Sequence, residues 1–203
     1  MSLRNRLLHC AAIAAIVGST AGGQAPRFAD LHRMLPWNGN VSRITAGDLD
    51  GDGDVDVLIA INSYPPSDPN RLLLNEGTGS FVYTPAAVPS APGAGTPDAL
   101  GDLDGDGDLD VLATGDALAE PIPLWLNQGT GTFTLATGQV AAPPYLPRQV
   151  ALGDLDGDGD LDALAANNGP ETLLLNDGAG TFANASALVP PSLDDSESVA
   201  LGD

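Results

Sequence analysis

One acidic string occurs three times and constrains everything else about this chain. Gly47 opens Gly-Asp-Leu-Asp-Gly-Asp-Gly-Asp-Val-Asp, and Gly101 and Gly153 open the same string with Leu in place of Val. Counting the first aspartate as position 1, carboxylates fall at positions 1, 3, 5, 7 and 9 (Asp48, Asp50, Asp52, Asp54 and Asp56) and glycines at 4 and 6 (Gly51 and Gly53). Anions this close repel one another, so the string is tolerable in a fold only if it curls and gains a counter-charge. The leading aspartates Asp48, Asp102, Asp154 and Asp203 stand 54, 52 and 49 residues apart. Self-similarity at such a period predicts an array of stacked units rather than one irregular core.

Other features keep the same phase. The four phenylalanines, Phe28, Phe81, Phe133 and Phe182, each precede a leading aspartate by 20 or 21 residues. Three of them close a Gly-x-Gly turn, at Gly77 and Gly79, Gly129 and Gly131, and Gly178 and Gly180. Upstream of each turn lies a Leu-rich run ending in Asn75, Asn127 or Asn176. Each repeat therefore reads as four short strands. The first enters the acidic loop, the second leaves it, the third is the Leu-rich run, and the fourth starts at the Phe. Nearly continuous apolar stretches such as Val57-Leu58-Ile59-Ala60 predict burial on both faces, as in a sheet stacked between two neighbours. Trp125 aligns with Leu73 and Leu174 and reads as core.

In a loop curled around an ion, alternate residues turn inward, so the odd positions can reach one centre, and glycine at 6 allows the sharp turn. The donors are all hard oxygens with no His or Cys nearby, which disfavours zinc and copper; the number and flexibility of the oxygens favour calcium over magnesium. This is not an EF-hand loop, which needs a Glu at position 12, where Ile59, Ala113 and Ala165 stand here. Position 8 is apolar each time (Val55, Leu109, Leu161) and is expected to pin the loop to the core. A merely solvated acidic face would not need glycines fixed at two positions in three copies.

The string Asp-x-Asp-x-Asp-Gly-x-x-Asp, followed by a Leu-rich strand, Asn, Gly-x-Gly and Phe, resembles the FG-GAP/VCBS repeat, whose units resemble the blades of integrin α-subunit β-propellers. The resemblance covers residues 28–203 and implies an all-β fold of four-stranded antiparallel blades, about three of them complete. It implies calcium in three loops, held by side chains at positions 1, 3, 5 and 9 and by the carbonyl at 7. Those are Asp48, Asp50, Asp52 and Asp56 with Asp54; Asp102, Asp104, Asp106 and Asp110 with Asp108; and Asp154, Asp156, Asp158 and Asp162 with Asp160. The position-7 side chains are expected to face water. Integrin-type propellers have seven blades, whereas the repeats here run from the last strand of a unit near Phe28 to the first ligand of a fourth at Asp203. A piece of a larger propeller is expected ahead of copies that close a ring by self-association through open blade edges. Repeat units counted from the phenylalanines start near 28, 81, 133 and 182, within a region spanning 26–203.

The charge balance narrows the partners. The formal net charge is -20, and seven arginines with no lysine supply all the positive charge. A chain so acidic cannot build the basic face that nucleic acid or an anionic membrane requires. Residues 1–21 read as a secretory signal, with Arg4 and Arg6 ahead of an apolar stretch at 7–17, small residues after it, and cleavage between about 21 and 25. Cys10 lies inside that stretch, so the mature chain is expected to lack cysteine. Catalysis has little support: His32 is the only histidine after the signal and no triad pattern accompanies it. The expected function is that of a secreted module with structural calcium, binding an extracellular protein or carbohydrate through its loop face. The alternative is a non-catalytic accessory module of a longer extracellular polysaccharide hydrolase or lyase. Connections between second and third strands (61–70, 115–123 and 167–171) vary most and are the expected seat of specificity. Trp37, Tyr64 and Tyr145 are contact candidates there and on the joining loops, with ordinary loop packing the more expected role. Sequons stand at Asn40 and Asn184.

Overall fold

The computed structural model describes residues 40–62, 70–78, 80–84, 96–114, 122–190 and 195–202. The expected signal at 1–21, with Arg4, Arg6 and Cys10, lies outside them, as do Phe28, His32, Trp37, Tyr64, Gly79, Asp203 and most of the two connections at 61–70 and 115–123.

Among the described residues, twelve strands form three antiparallel sheets in simple meander order. The first holds β1 (Asn40–Gly47), β2 (Asp56–Asn62), β3 (Arg71–Asn75) and β4 (Phe81–Thr84). The second holds β5 (Thr96–Gly101), β6 (Asp110–Thr114), β7 (Leu124–Asn127) and β8 (Phe133–Ala136). The third holds β9 (Pro147–Gly153), β10 (Asp162–Asn167), β11 (Gly169–Asn176) and β12 (Phe182–Asn184). The only helical turn among the described residues is a short 3-10 turn at Ser186–Leu188. No described helix is long and apolar enough to cross a membrane. Each Phe strand pairs with the Leu-rich strand before it, so a unit counted from Phe81 or Phe133 straddles two sheets.

The second strands are buried on both sides, as their unbroken apolar runs require. Along β2, Leu58 packs with Leu72 against Val111, Ala113, Trp125 and Phe133 of the second sheet, while Val57 and Ile59 join Leu73 and Phe81 on the opposite face. The pattern shifts by one sheet at the next interface, where Leu112 and Leu124 meet Ala163, Ala165, Leu174 and Phe182. Trp125 has no exposed surface. The first strands lie side by side, β1 against β5 and β5 against β9, and an Arg43–Asp98 ion pair links the first two sheets.

Glycine at the end of each first strand lets the sheets approach. A side chain at Gly47 would crowd the tips of Leu109 and Leu100 in the second repeat, and one at Gly101 those of Leu161 and Leu152 in the third. Gly153 carries Leu201 above it in the same way, because residues 195–202 run along the third sheet. There Ser196 N–H donates to the Asn167 carbonyl at 2.9 Å and Val199 N–H to Gln149 Oε1 at 3.1 Å. The outer face of the third sheet remains more open: Leu155 is 39% exposed, against 0% and 1% for its counterparts Leu49 and Leu103. The three sheets do not close into a ring.

Candidate metal centres

Each acidic loop is closed by the last residue pair of a hairpin: Gly47 opposite Asp56, Gly101 opposite Asp110, Gly153 opposite Asp162. Between those pairs the backbone curls through positive φ at both loop glycines, 78° and 89° at Gly51 and Gly53, a conformation that glycine adopts without strain. Local bonds hold the curl. Asp48 accepts from Gly51 N–H at 2.8 Å through one oxygen and from Gly53 N–H at 2.9 Å through the other. Asp50 accepts from Asp52 N–H and Asp52 from Asp54 N–H. The same bonds recur around Asp102, Asp104 and Asp106 and around Asp154, Asp156 and Asp158.

This geometry brings carboxylate oxygens of positions 1, 3 and 9 within 4.8 Å of one another in all three loops: Asp48, Asp50 and Asp56; Asp102, Asp104 and Asp110; Asp154, Asp156 and Asp162. The side chains at position 5 (Asp52, Asp106, Asp158) are exposed and lie outside these trios. The position-7 side chains are half-buried, not purely solvent-facing. Asp54, Asp108 and Asp160 press against Gly77, Gly129 and Gly178 of the Gly-x-Gly turns, where any side chain would strike the carboxylate. Acidic loops and Gly-x-Gly turns thus share one face of the array.

Position 9 is the buried anchor. Asp56, Asp110 and Asp162 have no exposed surface. Asp56 accepts Leu49 N–H at 2.8 Å on one oxygen and Asn75 N–H at 2.7 Å on the other. Asp110 holds Leu103 and Asn127 in the same way, and Asp162 holds Leu155 and Asn176. Burial pushes the Asp56 and Asp110 carboxyls up to about 6, outweighing the lowering effect of those donors. Burial and the neighbouring carboxylates also raise Asp50, Asp104 and Asp156. The described arginines are engaged elsewhere: Arg43 with Asp98, Arg71 over the Tyr83 ring, and Arg148 with Glu197. Three convergent hard oxygens with no cationic side chain of their own fit a hard divalent cation.

The strand-three asparagines are the residues whose role the sequence conceals. Asn127 Nδ2 donates to Leu109 O in its own loop at 3.1 Å and to Leu49 O in the preceding sheet's loop at 2.9 Å. Asn176 does the same to Leu161 O at 3.2 Å and Leu103 O at 2.9 Å. Asn75 Nδ2 donates to Val55 O at 3.2 Å. Their recurrence at one place in all three copies is the signal that could have found them.

At the other end of the third sheet, Tyr145 is half-buried with its ring packed on Gly169, which accords with a packing role. Beside it a cavity of about 320 Å³ is walled by Pro144, Pro170 and Pro190 and edged by Glu171. Of the expected connection at 167–171 only Asn168 lies between strands, β10 ending at Asn167 and β11 beginning at Gly169, and this tight turn is held by Asn167 Nδ2 on Pro170 O and Thr172 Oγ1.

A family model described as FG-GAP-like repeat matches residues 48–113, 102–165 and 154–203. No curated protein matches the chain. Among solved structures, the chain is similar to an Agrocybe aegerita lectin described by its specific recognition of non-reducing terminal N-acetylglucosamine. Identity is 25% and the TM-score 0.52, over 70% of this chain and 36% of the lectin chain. The chain thus spans about a third of the length of the lectin it matches.

Proposed function

The chain belongs to the FG-GAP-like repeat family, and on that premise we propose that it is a secreted, non-catalytic binding module whose blades are stabilised by calcium and whose ligand is a carbohydrate. The convergence of three carboxylates in each of three matching loops carries the calcium part of this reading. Asp48, Asp50 and Asp56 would hold one ion, Asp102, Asp104 and Asp110 the next, and Asp154, Asp156 and Asp162 the third. The position-5 side chains and position-7 carbonyls would complete the sets. When bound, the ion supplies the positive charge that offsets repulsion within the loop. The protein's own part is to fix the carboxylates: the buried position-9 aspartate is latched by two N–H groups, and the curl of Asp48 around Gly51 and Gly53 aims the rest.

Carbohydrate is favoured over a protein ligand by the similarity to a lectin. Two measurements test the reading on the purified chain. Chelation should lower the melting temperature markedly, and calcium should restore it; unchanged unfolding would end the calcium reading. A glycan array probed in calcium should show binding that chelation abolishes. A calcium-stabilised protein that binds no glycan would leave a protein surface as the ligand.

A further inference from the structure

The bonds that latch each position-9 aspartate continue from sheet to sheet without a break. Leu49 donates its N–H to Asp56 and accepts Asn127 Nδ2 on its carbonyl. Asn127 N–H bonds to Asp110, whose other oxygen holds Leu103 N–H. The Leu103 carbonyl accepts Asn176 Nδ2, and Asn176 N–H bonds to Asp162. Leu49 and Leu103 are the residues at position 2, flanked by the first two convergent carboxylates of their own loops. One asparagine therefore restrains a position-9 aspartate in its own sheet and the peptide between two aspartates in the sheet before.

We propose that Asn127 and Asn176 are positioning residues that couple neighbouring ion loops, so that calcium binds with positive cooperativity between adjacent sheets. This rests on the calcium reading above. An ion drawing on Asp110 fixes the Asn127 backbone, and the Asn127 amide then holds Leu49 where the first loop needs it. The ordering entropy that the first ion must overcome is thereby reduced for the second. The bonds connect nearest neighbours only, so the coupling is that of a one-dimensional array.

Calorimetric calcium titration of paired-loop variants tests this. Asp156→Asn weakens the third loop and leaves two adjacent loops intact; Asp104→Asn weakens the middle loop and leaves two separated ones. Either asparagine retains an oxygen for the N–H that the aspartate accepts, so the curl survives. In Asp156→Asn the second ion should bind about fivefold or more tighter than the first; in Asp104→Asn the two should bind independently. Adding Asn127→Ala to Asp156→Asn should abolish the cooperativity while two ions still bind. Independent binding in Asp156→Asn, or equal cooperativity in both pairs, would overturn the proposal, and that comparison decides alone should Asn127→Ala fail to fold. No calcium heat in any variant would instead overturn the calcium reading itself, and this proposal with it.

Discussion

An aspartate with both oxygens occupied by backbone N–H groups and no exposed surface is well bonded but costly to ionise. Asp56 and Asp110 stand in that position, with carboxyls raised from 3.8 to about 6. A folded-state value above the unfolded one contributes stability that is fully present below the unfolded value and is lost as pH rises through the folded value. The chelated protein should therefore melt at a higher temperature near about pH 5 than near about pH 7. Calcium requires the ionised form and should reverse the order. Differential scanning calorimetry at the two pH values, with and without chelator, checks both signs. Asp110→Asn, which replaces an acceptor by an amide facing a buried N–H, should cost about 1–3 kcal/mol in urea unfolding and flatten part of the pH dependence. The convergence of positions 1, 3 and 9 was legible in the alternation of carboxylates, whereas position 5, which the same alternation would turn inward, stays outside the trios. The double latch on position 9 was not, because one of its donors, Asn75, comes from a strand 19 residues further along.

The third strand is the element on which each interface turns. Trp125 on β7 pairs with Val111 on β6 and packs into the first sheet, at the place Leu174 takes between the second and third. Trp125→Ala should cost about 3–5 kcal/mol by denaturant unfolding, since the cavity opens between two sheets that cannot both collapse into it. Trp125→Leu, the residue used at Leu73 and Leu174, should cost less. Strand identity was readable here: Asn75, Asn127 and Asn176 end the third strands, and Phe81, Phe133 and Phe182 begin the fourth. The glycines ending the first strands were not readable as packing residues. Gly101 leaves room for the side-chain tips of Leu161 and Leu152, which reach it only once the sheets have stacked.

Across the whole molecule, 27 acidic residues are set against seven arginines, for a formal net charge of -20, and the acidic loops share one face. Salt screens repulsion between exposed charges that stand further apart than a Debye length, about 10 Å at 0.1 M ionic strength. Raising sodium chloride should therefore lift the melting temperature of the chelated protein and change that of the calcium-loaded protein far less; equal responses would mean that loop repulsion does not limit stability. The Asn127 and Asn176 amides, finally, both reach backwards, each from its own sheet to the one before it. That gives the stack a head and a tail: an inverted sheet would leave its amide facing no carbonyl, while the Leu155 carbonyl has no such donor among the described residues. Repeats of this kind can be concatenated in one orientation only, so the direction of reading the chain is also the direction in which its sheets must grow.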